Sequence, residues 1–230
     1  MSPRRLMLAA SLALFGLLAL GASGAGAFSI TQFDGTVTNQ AGEAFTQAGG
    51  HPFDAFTEIE FGTTVDNLGH TVPAGAMKQV HVKLPKGFIG NPLASERCSE
   101  AELSTDTCPT ATQVGVTSVT ATDGSFSGVY PLYNMIPVPG VAAEFAFNLE
   151  NVIWVHLFAS VQPDGSVVVS AEEVSQLAPL AGVHTTFWGV PGDPAHDPER
   201  ICHPGGGSGC SLGEEAAFLS LGGSCPGDQQ

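Results

Sequence analysis

Val141-Ala142-Ala143-Glu144-Phe145-Ala146-Phe147-Asn148-Leu149-Glu150-Asn151-Val152-Ile153-Trp154-Val155-His156-Leu157-Phe158-Ala159-Ser160-Val161 is the stretch whose reading decides the fold. In its first half Val141, Ala143, Phe145, Phe147 and Leu149 share one side of an extended chain, opposite Glu144, Asn148 and Glu150. A period of two belongs to a β-strand, because successive side chains leave a pleated backbone on opposite faces. Asn151 turns the chain. Val152 to Val161 is apolar on both faces, Trp154 and Phe158 included, and predicts a central strand covered on both sides. Asp164-Gly165 then closes a hairpin into Ser166–Val174.

The same pattern extends outward. Phe53, Ala55, Ile59 and Phe61 alternate with Asp54, Glu58 and Glu60, and Val80, Val82 and Leu84 with Gln79, His81 and Lys83. Further strands are expected over 28–38, 113–122 and 183–190. Residues 62–77 and 84–92 read as turns, and Tyr130 to Pro137, bounded by prolines, as an edge segment. Ser99 with Glu102 three positions later has the form of a helix capping box. Eight or nine short strands with turn residues between them, and no fixed repeat, point to an all-β protein. The expected architecture is an antiparallel β-sandwich, immunoglobulin-like or jelly-roll-like, over residues 28–190. Residues 191–230 are expected to form a disulfide-bounded, Gly/Pro/Cys-rich excursion, with Ala216–Leu221 as a last strand.

The N-terminus has a different character. Arg4 and Arg5 precede an apolar run of about 15 residues from Leu6 to Leu20, and small residues end in Ala25-Gly26-Ala27. This is the form of a signal peptide, residues 1–27, with Phe28 as first mature residue. The run is shorter than the ~20 residues of a membrane span, and no second long apolar run follows, so no membrane insertion is expected after cleavage. The remainder holds five strong cations, Lys78, Lys83, Lys86, Arg97 and Arg200, against all 22 carboxylates. Such a field repels phosphate backbones and argues against nucleic-acid binding.

In an exported chain, five cysteines read first as disulfides. Local pairing within Cys98/Cys108 and within Cys202/Cys210 is the simplest of several connectivities. Cys225 is then left over for a covalent partner. The densest polar cluster is Asp193, His196, Asp197, Glu199, Arg200 and His203. Its carboxylates and imidazoles could ligate a metal in an extracellular hydrolase. The spacing matches no zinc pattern, however, and Asp-Pro pairs are ordinary turn formers, so no metal or cofactor is assigned. Gly209-Cys210-Ser211-Leu212-Gly213 fits the nucleophile-elbow pattern in letters alone, since a glycine-rich loop stands where a strand is needed. His156 and His184 read as sheet residues with satisfied rings. Trp154, Trp188, Tyr130 and Tyr133 could stack sugars, as in a carbohydrate-binding module, but core packing is the default for such rings.

Four phrases occur together: Gln47-Ala48-Gly49-Gly50-His51-Pro52-Phe53, Leu84-Pro85-Lys86-Gly87-Phe88-Ile89-Gly90-Asn91-Pro92, Tyr130-Pro131-Leu132-Tyr133-Asn134, and Trp188-Gly189-Val190-Pro191 leading to His196-Asp197. In these the chain resembles a group of large exported β-rich proteins of actinobacterium-like bacteria with no assigned activity. The resemblance spans roughly Phe28 to Cys225. It implies an extracellular or cell-surface protein whose relatives continue past Ser224-Cys225-Pro226, and it carries over no catalytic residues. The expected function is therefore structural or adhesive, without catalysis, with an extracellular or cell-surface glycan or protein as partner. The intact mass of the natively exported protein should begin at Phe28; a mass beginning at Met1 would mean a retained anchor.

Overall fold

The structure is a computed structural model, and it describes residues 28–201, 213 and 215–223. The chain is all-β and antiparallel, as expected. Thirteen strands form among the described residues: β1 (Ile30–Thr38), β2 (Asp54–Phe61), β3 (Thr63–Val65), β4 (Thr71–Pro73), β5 (Val80–Lys83), β6 (Phe88–Gly90), β7 (Gln113–Ala121), β8 (Val129–Asn134), β9 (Ala143–Leu149), β10 (Ile153–Val161), β11 (Val167–Ala171), β12 (Leu180–Trp188) and β13 (Leu219–Leu221). Nine of them make one sheet in the order β1-β2-β12-β7-β8-β9-β10-β11-β5, while β3–β4 and β6–β13 are separate two-stranded ribbons. The nine strands share one continuous ladder and curl into a half-barrel, and no separate pair of stacked sheets of immunoglobulin or jelly-roll type is seen among the described residues.

Curling follows from the register. Phe33 stands opposite Ile59, Ile59 opposite Val183, and Val183 opposite Val119. At the other end Val80 faces Ala171, Ala171 faces Leu157, and Leu157 faces Phe145. Each rung therefore runs apolar residue to apolar residue across several strands, all on one face. A flat sheet would leave that face in water; twist and curl turn it on itself. Phe145, Phe187 and Phe218 meet at one end of the concavity, with ring centroids 4.9–6.4 Å apart. Fully burying a side chain of this size contributes roughly 1.5–3 kcal/mol.

The outer face is covered at one place. Ser99 caps a short helix, α1 (Glu100–Ser104), by the expected capping box, its hydroxyl accepting from Glu102 N–H while the Glu102 carboxylate accepts from Ser99 N–H. The Cys98–Cys108 disulfide, with Cα atoms 5.4 Å apart, staples this excursion. Leu103 and both cysteines then pack on Tyr133, Met135 and Ala146, on the outer side of β8 and β9. Asn134, fully buried, places its amide nitrogen 2.9–3.3 Å from the carbonyls of Pro92, Ser95 and Glu96, which ties the same excursion down.

Four expectations need correction. The doubly covered strand is β9, buried throughout, and not β10, because α1 lies over β9 and its neighbour β8. The segment 130–134 is not an edge: β8 sits between β7 and β9. Proline is tolerated there because β8 pairs with β9 only through Tyr133 and Asn134, so Pro131 has a ladder partner on one side alone, Val116 of β7. Residues 62–77 contain the β3–β4 ribbon, and 84–92 contain β6, which pairs with β13. The turn after β9 does use Asn151: Glu150 and Asn151 both have φ near +55°, and Val152 N–H donates to Leu149 C=O, a tight hairpin turn of the kind that matches strand twist.

Close approach of β7 and β12 depends on Gly115, where any Cβ would run into the Thr186 carbonyl oxygen. Gly115→Ala is expected to destabilise by about 3 kcal/mol through this clash, whereas Gly90→Ala, with open space around it, should stay within about 0.5 kcal/mol; urea unfolding of both variants checks the contrast.

Candidate ligand-binding trough

The concave side of the half-barrel encloses an open trough of about 660 Å³. Its walls come from alternate residues of many strands: Phe33 and Val37 of β1, Ile59 of β2, Val183 and Phe187 of β12, Phe147 and Leu149 of β9, Val155 and Leu157 of β10, Val169 of β11, and Val80 and Val82 of β5. The two end strands, β1 and β5, both contribute side chains, so the trough lies where the sheet approaches closure. Thr57 and Thr185, opposite each other in the β2–β12 ladder, bring hydroxyls into the hydrocarbon. Among the described residues, the ionisable residues in the lining are Lys83 and Lys86, and Lys83 leaves β5 on the face opposite Val80 and Val82. A concave, mainly apolar site with a few polar groups is the usual form of a small-molecule site. This volume falls within the range of about 300–1,000 Å³ typical of such sites.

The residues singled out from sequence lie elsewhere. The 193–201 segment forms a 3-10 turn, Pro194–Glu199, which the Asp193 side chain caps by accepting from Ala195 N–H. Asp197 accepts from Arg200 Nε at 3.2 Å, and Glu199 accepts from Trp188 Nε1 at 3.2 Å. His196, buried, is stacked between Phe53 and Trp188 at centroid distances of 4.2 and 4.8 Å. The Arg200 guanidinium lies 5.0 Å from the Trp188 ring centroid and donates to Pro191 C=O. These contacts fasten the segment to the ends of β2 and β12, and they leave His196 Nε2, Arg200 Nη1 and Asp54 Oδ1 buried without a hydrogen-bond partner among the described residues. Among the described residues, no three His, Cys, Asp or Glu side chains come together as a metal site. His203, Ser211, the Cys202/Cys210 pair and Cys225 lie outside the described residues.

The remaining candidates are structural. His156 Nδ1 lies 2.8 Å from the buried Glu144 carboxylate on the outer face, and His184 contacts the Thr186 hydroxyl and stacks on Phe56. Trp188, Tyr130 and Tyr133 are buried, which leaves Trp154, 39% exposed, as the one accessible ring of the four. They make no sugar-stacking surface. No helix among the described residues is long and apolar enough to cross a membrane. Comparison of the chain with models of known families, with curated proteins and with solved structures gives no match in any of the three.

Trough residues escaped the sequence reading because each strand supplies only two or three of them. The signal was present in the alternation itself, but an inward-facing valine reads alike whether it packs against a second layer or borders open space.

Beside the cap, His196 and Asp54 have opposed titrations. Burial, with the Glu199 charge second, pushes the Asp54 carboxyl up to about 7. Burial pushes the His196 imidazole down to about 4; Arg200 adds to this, and Asp193 and Asp197 act against it. Asp54 thus contributes stability that is present below its unfolded value, near 4, and is lost as pH rises to about 7. His196 contributes stability that is present above its unfolded value of 6.5 and is lost as pH falls to about 4. The two slopes oppose each other between pH 4 and 7. Asp54→Asn should therefore make stability rise with pH across this window, and His196→Phe should make it fall; urea midpoints against pH that stay parallel to wild type would contradict the assignment.

Proposed function

We propose that this chain is an exported, non-catalytic binding protein that holds an apolar small molecule in the trough of its half-barrel. The observation that carries this reading is the trough: a single sheet supplies an apolar concave face of about 660 Å³ that no second layer of the described chain fills. Leaving that much hydrocarbon in contact with water costs roughly 25 cal/mol per Å², and a contiguous exposed apolar face of this kind marks a site of interaction. Binding is favoured over catalysis because no acid–base pair or activated nucleophile faces the trough among the described residues. The structural or adhesive role expected from the sequence takes, in this reading, the form of ligand capture.

Two observations support action outside the cytoplasm. The Cys98–Cys108 disulfide belongs to an oxidising environment, and residues 1–27 have the composition of an export signal.

An environment-sensitive apolar dye should bind the mature protein in a saturable way and be displaced by long-chain apolar ligands. Val169→Trp, which adds an indole to the trough wall, should weaken that binding about tenfold, equal to ~1.4 kcal/mol, with the thermal midpoint little changed. Absence of saturable binding, or binding indifferent to Val169→Trp, would overturn the proposal.

A further inference from the structure

We propose that the ligand of the trough is uncharged and carries an accepting oxygen of carbonyl type partway along its apolar length, and that the Thr57 hydroxyl donates to that oxygen. This rests on the trough being a binding site and adds the chemistry of what it selects.

The register places the hydroxyl. Gly35, Thr57, Thr185 and Thr117 stand opposite one another across β1, β2, β12 and β7 and form one rung of the ladder. Opposed residues in an antiparallel ladder share a face, and so do residues two positions along each strand. The rung on one side holds Val37, Ala55 and Phe187, and the rung on the other holds Phe33, Ile59 and Val183. All six line the trough, as do Gly35, Thr57 and Thr185. The polar rung therefore lies on the concave face with hydrocarbon on both sides of it, and none of these side chains is charged.

The threonines of the rung differ in what their hydroxyls bond. Thr117, fully buried, donates to the Thr185 hydroxyl at 3.4 Å. Thr57 makes no side-chain hydrogen bond among the described residues. A threonine hydroxyl has one hydrogen to give, and that of Thr57 is unspent. Its ladder partner in β1 is a glycine, with no side chain to lie over it; a Cβ at Gly35 would stand 3.8 Å from Thr57 Oγ1. The rung is thus open beside the one hydroxyl that needs an acceptor.

A ligand that fills the trough takes this hydroxyl out of solvent. If the ligand is hydrocarbon throughout, a desolvated donor is left without a partner, which opposes binding. A carbonyl oxygen at the height of Thr57 supplies the partner, and apolar chain on either side of it lies on the two flanking rungs. A carboxylate or ammonium group at the same height would lose its hydration with no opposite charge in these rungs to replace it.

The test uses three linear probes of matched length: a ketone with its carbonyl near the middle, the isomer with the carbonyl next to one end, and the parent hydrocarbon. Binding to the mature protein is measured by displacement of the apolar dye. The central ketone should bind about 3- to 10-fold more tightly than its isomer, the worth of one hydrogen bond, because the isomer cannot reach Thr57 and still lie on both flanking rungs. T57V keeps the shape and removes the donor. It should weaken the central ketone by the same factor and bind the hydrocarbon at least as tightly as before, whereas T57S should behave as wild type. Equal binding of the two ketones, central-ketone binding unchanged in T57V, or ketone and hydrocarbon weakened alike in T57V would overturn the assignment to Thr57 while leaving the trough as a binding site. Failure of all three probes to bind the wild type would overturn both, including the case in which a second copy of the chain or another polypeptide fills the trough.

Discussion

Everything in this structure depends on one constraint: a single antiparallel sheet whose largest apolar set emerges on one face. Register enforces it. Because the side-chain period is two, the rungs Phe33–Ile59–Val183–Val119 and Val80–Ala171–Leu157–Phe145 leave no choice of face, and a slip of one residue in any strand would expose its whole apolar set. With no second large sheet among the described residues to press against, the surface buries itself by curling, and where curling stops short of closure it leaves a trough. The cavity is thus the remainder of a burial problem that nine strands solve only in part.

The outer face has its own solution, confined to the strands that need it. β8 and β9 stand near the middle of the sheet and carry Tyr133, Met135 and Ala146 outward, and a loop excursion of barely two helical turns, closed by a disulfide, covers them. The 193–201 segment performs a similar task at the end of β2 and β12, with stacked rings in place of a covalent bond. Both covers are made from polar-looking sequence. Their few apolar or aromatic members point in, and their acidic members also cap their own turns, as Glu102 does with Ser99 and Asp193 with Ala195.

Much of this was legible in the residues. Alternation located most of the long strands, Asp164-Gly165 located a hairpin, Ser99 with Glu102 located the helix start, and the spacing of Cys98 and Cys108 suggested a local bridge. What was not legible was tertiary in origin. Pro131 reads as an edge signal, yet a central strand accepts it where one flank has no ladder. Val152 to Val161 reads as doubly covered, but cover depends on a loop far upstream, between Cys98 and Cys108, which no window on the strand can reveal. His196 belongs to a polar cluster that could ligate a metal but to which none is assigned, and it is a stacked core ring between Trp188, close by in sequence, and Phe53, from the other end of the chain. The trough itself belongs to no segment, only to their sum.

The position of β12 has a consequence in time. It lies between β2 and β7, so the β1–β2 hairpin, made first, has no place in the sheet until residues 180–188 exist. The meander from β7 to β11 can assemble from neighbours in sequence, but the N-terminal quarter of the chain must wait, its apolar residues unshielded, for a strand more than 100 positions downstream. Such non-local pairing places folding on the millisecond-to-second side of the usual scale, and the order of synthesis offers no early native state. The sheet is built to stay open until residues 180–188 exist, and to close in one step when β12 joins its two parts.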